Sequence, residues 1–156
     1  MDHLLARGLR CIWVIDVSAA ALARAKTRLG PVTSAVTWIE ADVTSDWSGG
    51  VADIWHDRAA FHFLTDAEDR ARYVEHARQH VKRGGYLMLA TFGFEGPPTC
   101  SGLPIVRYSA ESLAAEMGSA FALLESVSES HTTPAGAVQQ FQYAVFRHLD
   151  QHHPKG

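Results

Sequence analysis

Short apolar, β-branched runs alternate with amphipathic segments along this chain, and that alternation restricts the fold more than any other feature. Cys11-Ile12-Trp13-Val14-Ile15 reads as a buried strand. Ser18 then caps a helix with Leu22, Ala25 and Leu29 on one face, ended by Gly30-Pro31. Val36–Asp42 and Val51–Asp57 read as two further strands. Thr65-Asp66-Ala67-Glu68 has the form of a capping box. The helix it opens turns Ala67, Ala71, Val74 and Val81 inward and stops at Gly84-Gly85. Tyr86–Ala90 is a fourth strand, and Ser109 caps a helix with Leu113 and Met117 inside. Ala122–Ser130 and Val138–His148 follow with no helix between them, only Thr133-Pro134-Ala135-Gly136. They are expected to form an antiparallel hairpin at one edge. Strands alternating with helices imply right-handed crossovers, hence an α/β fold with a mainly parallel sheet. A length of 156 residues suits one core. One domain is expected over residues 1–149, followed by a polar tail, residues 150–156, that frays.

Charge and composition exclude several function classes. The chain carries 14 basic and 17 acidic residues, a net charge of -3, with no basic stripe, so binding of nucleic acid through its phosphates is not expected. No apolar run reaches the ~18–20 residues that a membrane span needs. Cys11 and Cys100 stand outside any CxxC pair. Two free thiols in a reducing cytosol are the expected state, and the expected location is cytoplasmic.

Three carboxylates fall at the carboxyl ends of inferred strands: Asp16, Asp42 and Asp57. Open α/β sheets bind ligands there, and a carboxylate at such an end often accepts hydrogen bonds from ribose hydroxyls. Asp is also a common cap and turn residue, so each one alone says little. Three in register point to a nucleoside-type pocket.

Trp13-Val14-Ile15-Asp16-Val17-Ser18, the Ala-rich helix after it, and Trp38-Ile39-Glu40-Ala41-Asp42-Val43 resemble class I S-adenosylmethionine-dependent methyltransferases. So do Asp53-Ile54-Trp55-His56-Asp57-Arg58-Ala59-Ala60-Phe61-His62-Phe63-Leu64 and the Gly84-Gly85-Tyr86-Leu87 strand. The resemblance runs from about Asp2 to His148, and its Trp55–Leu64 segment is similar to one bacterial subgroup of small-molecule-type enzymes. It implies a Rossmann-like sheet and a cofactor site of Asp16, Val17, Asp42, Val43 and Asp57. Asp16 would hold the ribose, Asp42 and Val43 would border the adenine, and Asp57 would lie near the methionine part.

That family opens with a strand and a glycine-rich turn that wraps the methionine end of the cofactor, where glycine lets the backbone approach closely. Here Met1-Asp2-His3-Leu4-Leu5-Ala6-Arg7-Gly8 resembles the helix that follows such a turn. The expectation is therefore a truncated sheet, its first central strand missing, with S-adenosylmethionine binding weakened or lost. An unpaired sheet edge is costly when buried. Direct pairing of the flanking strands, or a homodimer with or without strand exchange, is expected to close it.

Nine histidines remain to be placed. His56, Asp57 and His62, with Arg58 between them, follow a strand end. Such groups serve as general base and acid or, with Glu40 and Asp42, as ligands of a divalent metal. Arg58 would neutralise an anionic substrate. The plainer reading makes the segment pocket lining, with no metal. His76 and His80 share a helix face and are expected to meet water. Trp13, Trp38 and Trp55 are expected in the core, and the Gly93–Pro104 loop would act as a lid. Three readings follow: a truncated methyltransferase acting on a small molecule through Asp57, His62, Arg58 and His56; a repurposed hydrolase or lyase using His56, Asp57 and His62; and a non-catalytic binding remnant.

Overall fold

The computed structural model describes residues 2–9, 11–133, 136 and 138–149. Part of the expected hairpin connection, Pro134 and Ala135, and the tail from Asp150 lie outside the described residues. The chain forms two compact units, Met1–Gly49 and Gly50–Gly156.

The first unit holds α1 (Asp2–Ala6), β1 (Ile12–Asp16), α2 (Ala19–Leu29) and β2 (Val36–Glu40). β1 and β2 pair in parallel, with Ile12 opposite Val36 and Asp16 opposite Glu40. The α2 start follows the cap logic: Ser18 Oγ accepts from Ala21 N at 3.2 Å. Leu22 is buried, with Leu5 and Val36. Trp13 departs from expectation. It is 37 % exposed, because its side chain alternates away from the buried side of a two-stranded sheet. Trp38 is half-buried, donating to Thr33 O at 3.3 Å beneath the Lys26 ammonium.

The second unit is a four-stranded sheet in the order β3-β4-β8-β7. β3 (Ala52–Arg58) runs parallel to β4 (Val81–Phe92), while β8 (Val138–His148) is antiparallel to both β4 and β7 (Phe121–Thr132). The expected C-terminal hairpin is therefore present. A short hairpin, β5 (Thr99–Cys100) and β6 (Leu103–Pro104), turns through Ser101 and Gly102 at φ of 51° and 79°. Among the described residues no strand pairs with the outer edge of β3 or of β7.

One face of this sheet is the core. Leu87, Leu89 and Thr91 of β4, Ala144 and Phe146 of β8, and Asp57 of β3 are buried on it. Helices α3 (Ala67–His80) and α4 (Ala110–Met117) pack there through Tyr73, Ala77, Leu113 and Met117. Each such fully buried apolar side chain contributes roughly 1.5–3 kcal/mol. Two sequence expectations for α3 are corrected. Its cap is Asp66, which accepts from Glu68 N at 2.7 Å, so no Thr65–Glu68 box forms. Its inward face is Tyr73 and Ala77, while Ala67 and Ala71 are exposed. Val81 belongs to β4, its β-branched side chain buried opposite Ala52. Gly85 does not end a helix. A Cβ there would meet Lys82 O and Asp53 O at 2.7 and 2.8 Å, so glycine permits the close approach at the register shift of β4 against β3. His76 and His80 are half-buried, with ring centroids 6.3 Å apart, and do not simply face water.

Candidate functional site

In the first unit the candidate residues lie at the strand ends. Parallel pairing puts the Asp16 and Glu40 carboxylates side by side where β1 and β2 finish. Asp16 Oδ1 accepts from Ser18 N at 2.8 Å, which fixes the turn into α2. The Glu40 carboxylate has no hydrogen-bond partner among the described residues. Asp42 forms an Asx turn: Oδ1 accepts from Thr44 N at 2.8 Å and from Thr44 Oγ1 at 2.7 Å. Those bonds hold its carboxyl below the usual carboxylate range. Val17 is 73 % exposed and Val43 half-buried. This is an acceptor-rich set that fits vicinal hydroxyl donors of a ribose.

In the second unit the pleat separates residues that the sequence sets side by side. Successive strand residues point to opposite faces, so Asp57 turns inward while His56 and Arg58 turn outward. Asp57 is 7 % exposed and accepts three hydrogen bonds: from Ala60 N at 2.9 Å, Phe61 N at 3.1 Å and Tyr73 Oη at 2.7 Å. Trp55 Nε1 donates to the same Tyr73 oxygen at 3.0 Å. Burial pushes the Asp57 carboxyl up while the three donors pull it down, and the net direction is up. Burial and the neighbouring carboxylate raise the Tyr73 phenol well above its ordinary range. The arrangement is a clamp on the turn after β3, where Ala59 sits at φ 64°. Tyr73 escaped the sequence reading because nothing in its own neighbours marks it as the partner of a residue one helix earlier.

His62 is fully buried between the rings of Phe63 and Phe92, with centroids 4.6 and 5.0 Å away. Its Nδ1 accepts from Phe92 N at 3.2 Å, which places the proton of the neutral ring on Nε2. Burial lowers its pKa to about 4. His56, Asp57 and His62 therefore do not share one face. Among the described residues no group of three or more His, Cys, Asp or Glu side chains is placed to hold a metal ion.

The outward face of the sheet carries a different cluster. Arg58 holds its guanidinium 5.2 Å from the Phe141 ring centroid. Phe141, Phe92 and Ala90 form an apolar cluster joined by Ala59, Cys100, Ile105 and Tyr143. A cavity of about 50 Å³ opens on this face among His56, Met88, Ala90 and Tyr143. The loop after β4 is tied down, contrary to a free lid. Arg107 Nη1 donates to Phe94 O at 2.8 Å and Gly96 O at 3.1 Å. Gln140 Oε1 accepts from Glu95 N at 3.0 Å, and Gly93 N donates to Gln140 O at 2.9 Å. Cys11 and Cys100 are free thiols, exposed and half-buried. No helix among the described residues is long and apolar enough to cross a membrane.

Comparison with known proteins adds to this geometry. The profile of the methyltransferase domain family matches residues 1–89. The N-methyltransferase NodS from Bradyrhizobium japonicum WM9, solved with S-adenosyl-L-homocysteine, superposes with a TM-score of 0.72 at 18 % identity, over 96 % of this chain and 72 % of that one. A SAM-dependent methyltransferase from Methanosarcina mazei gives 0.75 at 14 % identity, covering 94 % and 85 %. The 1,6-didemethyltoxoflavin-N1-methyltransferase of Burkholderia thailandensis, with 1,6-didemethyltoxoflavin and S-adenosylhomocysteine bound, gives 0.72 at 15 %, covering 96 % and 65 %. At such identities the likeness is one of fold. A search of curated proteins finds no match.

Proposed function

The chain belongs to the methyltransferase domain family, and on that premise we propose that it moves a methyl group from S-adenosylmethionine to a small-molecule nucleophile. The observation that carries this reading is the register of β1 and β2. It sets the Asp16 and Glu40 carboxylates together at strand ends, with Asp42 held ionised in the next turn. Those acceptors suit ribose hydroxyls, while Val17 and Val43 offer apolar contact to a base. Asp16, Glu40 and Asp42 would hold the cofactor's ribose, and the bound cofactor would supply an electrophilic methyl group.

Asp57 and His62 are positioning residues, because every hydrogen-bonding atom of Asp57 and the Nδ1 of His62 is used to fix the turn that follows Arg58. His56 lies two residues before Arg58 on the same face, and its imidazole is the group we assign to take the acceptor's proton. A second copy of the chain associates along an open strand edge, because a two-stranded sheet such as β1–β2 is marginal alone.

Calorimetric titration with S-adenosylmethionine and S-adenosylhomocysteine tests the reading. Saturable binding is expected, weakened roughly tenfold by Asp16→Asn and again by Asp42→Asn, as for one lost charged hydrogen bond each. No heat up to about 1 mM ligand, a ceiling near -4 kcal/mol of binding energy, overturns it. Light scattering tests the association: a monomer mass across the concentration range removes it.

A further inference from the structure

Where β3 and β4 begin, at the end of the sheet opposite to their carboxyl ends, lies an open cavity of about 410 Å³. β3 lines it with Asp53 and Ile54, β4 with residues 82–86, and β8 with Arg147. A bulge builds this space. Between the pairs Ala52–Val81 and Ile54–Tyr86, Asp53 alone on β3 stands against Lys82, Arg83, Gly84 and Gly85 on β4. Gly84 takes φ 74°, and a Cβ on Gly85 would meet Lys82 O and Asp53 O at 2.7 and 2.8 Å, so the excursion is fixed by its two glycines. Arg83 Nη1 donates to Leu149 O at 3.0 Å, which ties that guanidinium two residues along the chain from Arg147. Arg147 Nη2 comes within 3.8 Å of the place a Cβ on Gly84 would take, so both guanidiniums border the glycine turn. Arg147 makes no hydrogen bond or ion pair with any described residue, and the residue opposite it on β7 is Ala122. The one carboxylate of the lining, Asp53, is engaged by Lys82 Nζ at 3.1 Å. Those two charges offset each other and leave the guanidiniums of Arg83 and Arg147 in excess. Ile54 and Tyr86 stand side by side, 52 % and 39 % exposed, so the apolar part of the lining is uncovered.

We propose that this cavity is a binding site for an organic phosphate, separate from the strand ends to which the methyl-transfer reading assigns the cofactor. A phosphate dianion matches two uncompensated guanidinium charges, and guanidinium forks suit its oxygens. The organic group of the ligand lies along Ile54 and Tyr86. A volume of about 410 Å³ falls within the ~300–1,000 Å³ of small-molecule sites, more than a bare phosphate fills. Arg147 is the principal anchor, because its donors are uncommitted, and Arg83 contributes those that Leu149 does not take.

Full-length protein is titrated with phenyl phosphate, inorganic phosphate and benzoate at pH about 7.5, where a phosphate ester is doubly charged, and followed by calorimetry and amide chemical shifts. Phenyl phosphate is expected to bind saturably, roughly tenfold tighter than inorganic phosphate or benzoate, and to move the amides of Gly84, Gly85, Tyr86 and Arg147. Arg147→Gln and Arg83→Gln are each expected to weaken it about tenfold, as for one lost charged hydrogen bond, and Arg147→Lys to recover part of the loss. Arg147 is exposed, so its substitution is expected to leave the unfolding midpoint in place. Arg72→Gln on α3 lowers the net charge equally and is expected to leave the affinity unchanged. Inorganic phosphate as tight as phenyl phosphate means an adventitious ion only and overturns the site. Benzoate as tight as phenyl phosphate overturns the dianion assignment. Unchanged affinity in Arg147→Gln, or shifts confined to residues 12–44, overturns the location.

Discussion

Asp57 and His62 carry the sharpest consequences at the level of single residues. Tyr73→Phe removes one donor from a buried carboxylate and leaves the Trp55 indole without its acceptor. A loss of roughly 2–3 kcal/mol is expected in denaturant unfolding, against well under 1 kcal/mol for the exposed Glu95→Gln. His62 predicts a pH dependence. Its unfolded imidazole binds a proton below about pH 6.5, while the folded ring stays neutral down to about 4. The unfolded state therefore holds more protons in that window. Stability is full above pH 6.5 and falls as pH drops from 6.5 toward 4, by up to ~3 kcal/mol. His62→Asn keeps an acceptor for Phe92 N but does not titrate, so the difference between the two proteins, followed by urea unfolding, should shrink across that interval. The residue types of this site were legible in the sequence, and their orientations were not. Adjacency in the chain suggested that His56, Asp57 and Arg58 act together, yet a strand sends alternate side chains to opposite faces. Only the pairing with β4 says which face is inside.

At the scale of elements, caps were the most readable feature. Ser18 and Ser109 cap α2 and α4 as their chemistry dictates, because an N-cap is a local interaction. Ser109→Ala is expected to cost about 1 kcal/mol, since it removes the capping box with Ser112, and a thermal melt shifted by a few degrees reads it out. Loop anchoring was not legible. The glycines and prolines after β4 suggested mobility, but the ties of that loop come from Gln140, which is distant in sequence, and from Arg107. Arg107→Ala should raise hydrogen-exchange rates in residues 93–102 at least tenfold while leaving β4 protected. Equal rates in both proteins would show that the anchor does not hold the loop. The α3 stripe was misread because Tyr73, the side chain it turns inward, carries a hydroxyl that only Asp57 justifies.

For the whole molecule, alternation of strand and helix identified the α/β class and the antiparallel pair at the end, since period and turn chemistry are properties of the chain itself. The division at Gly49 was not visible, because it depends on which strands find partners. Unit 1 buries Leu5, Leu22 and Val36, whereas unit 2 buries Phe61, Tyr73, Leu87, Leu89, Phe92 and Phe146 among others. Amides of β4 and β8 are accordingly expected to exchange only through global unfolding, and those of Ile12–Asp16 at least tenfold faster. Matched rates in the two sheets would mean that the units unfold as one.

The margin formed by β7 bears on how the protein behaves in bulk. Twelve residues long, it pairs with no strand on its outer edge among the described residues and leaves Leu124 and Val127 more than half bare, interrupted by Glu125, Glu129 and the irregularity at Leu123/Glu125. Such a border is a template on which extended peptides stack, and those two glutamates are its gatekeepers. Variants that neutralise them will precipitate as fibres from concentrated stocks long before they lose their native packing.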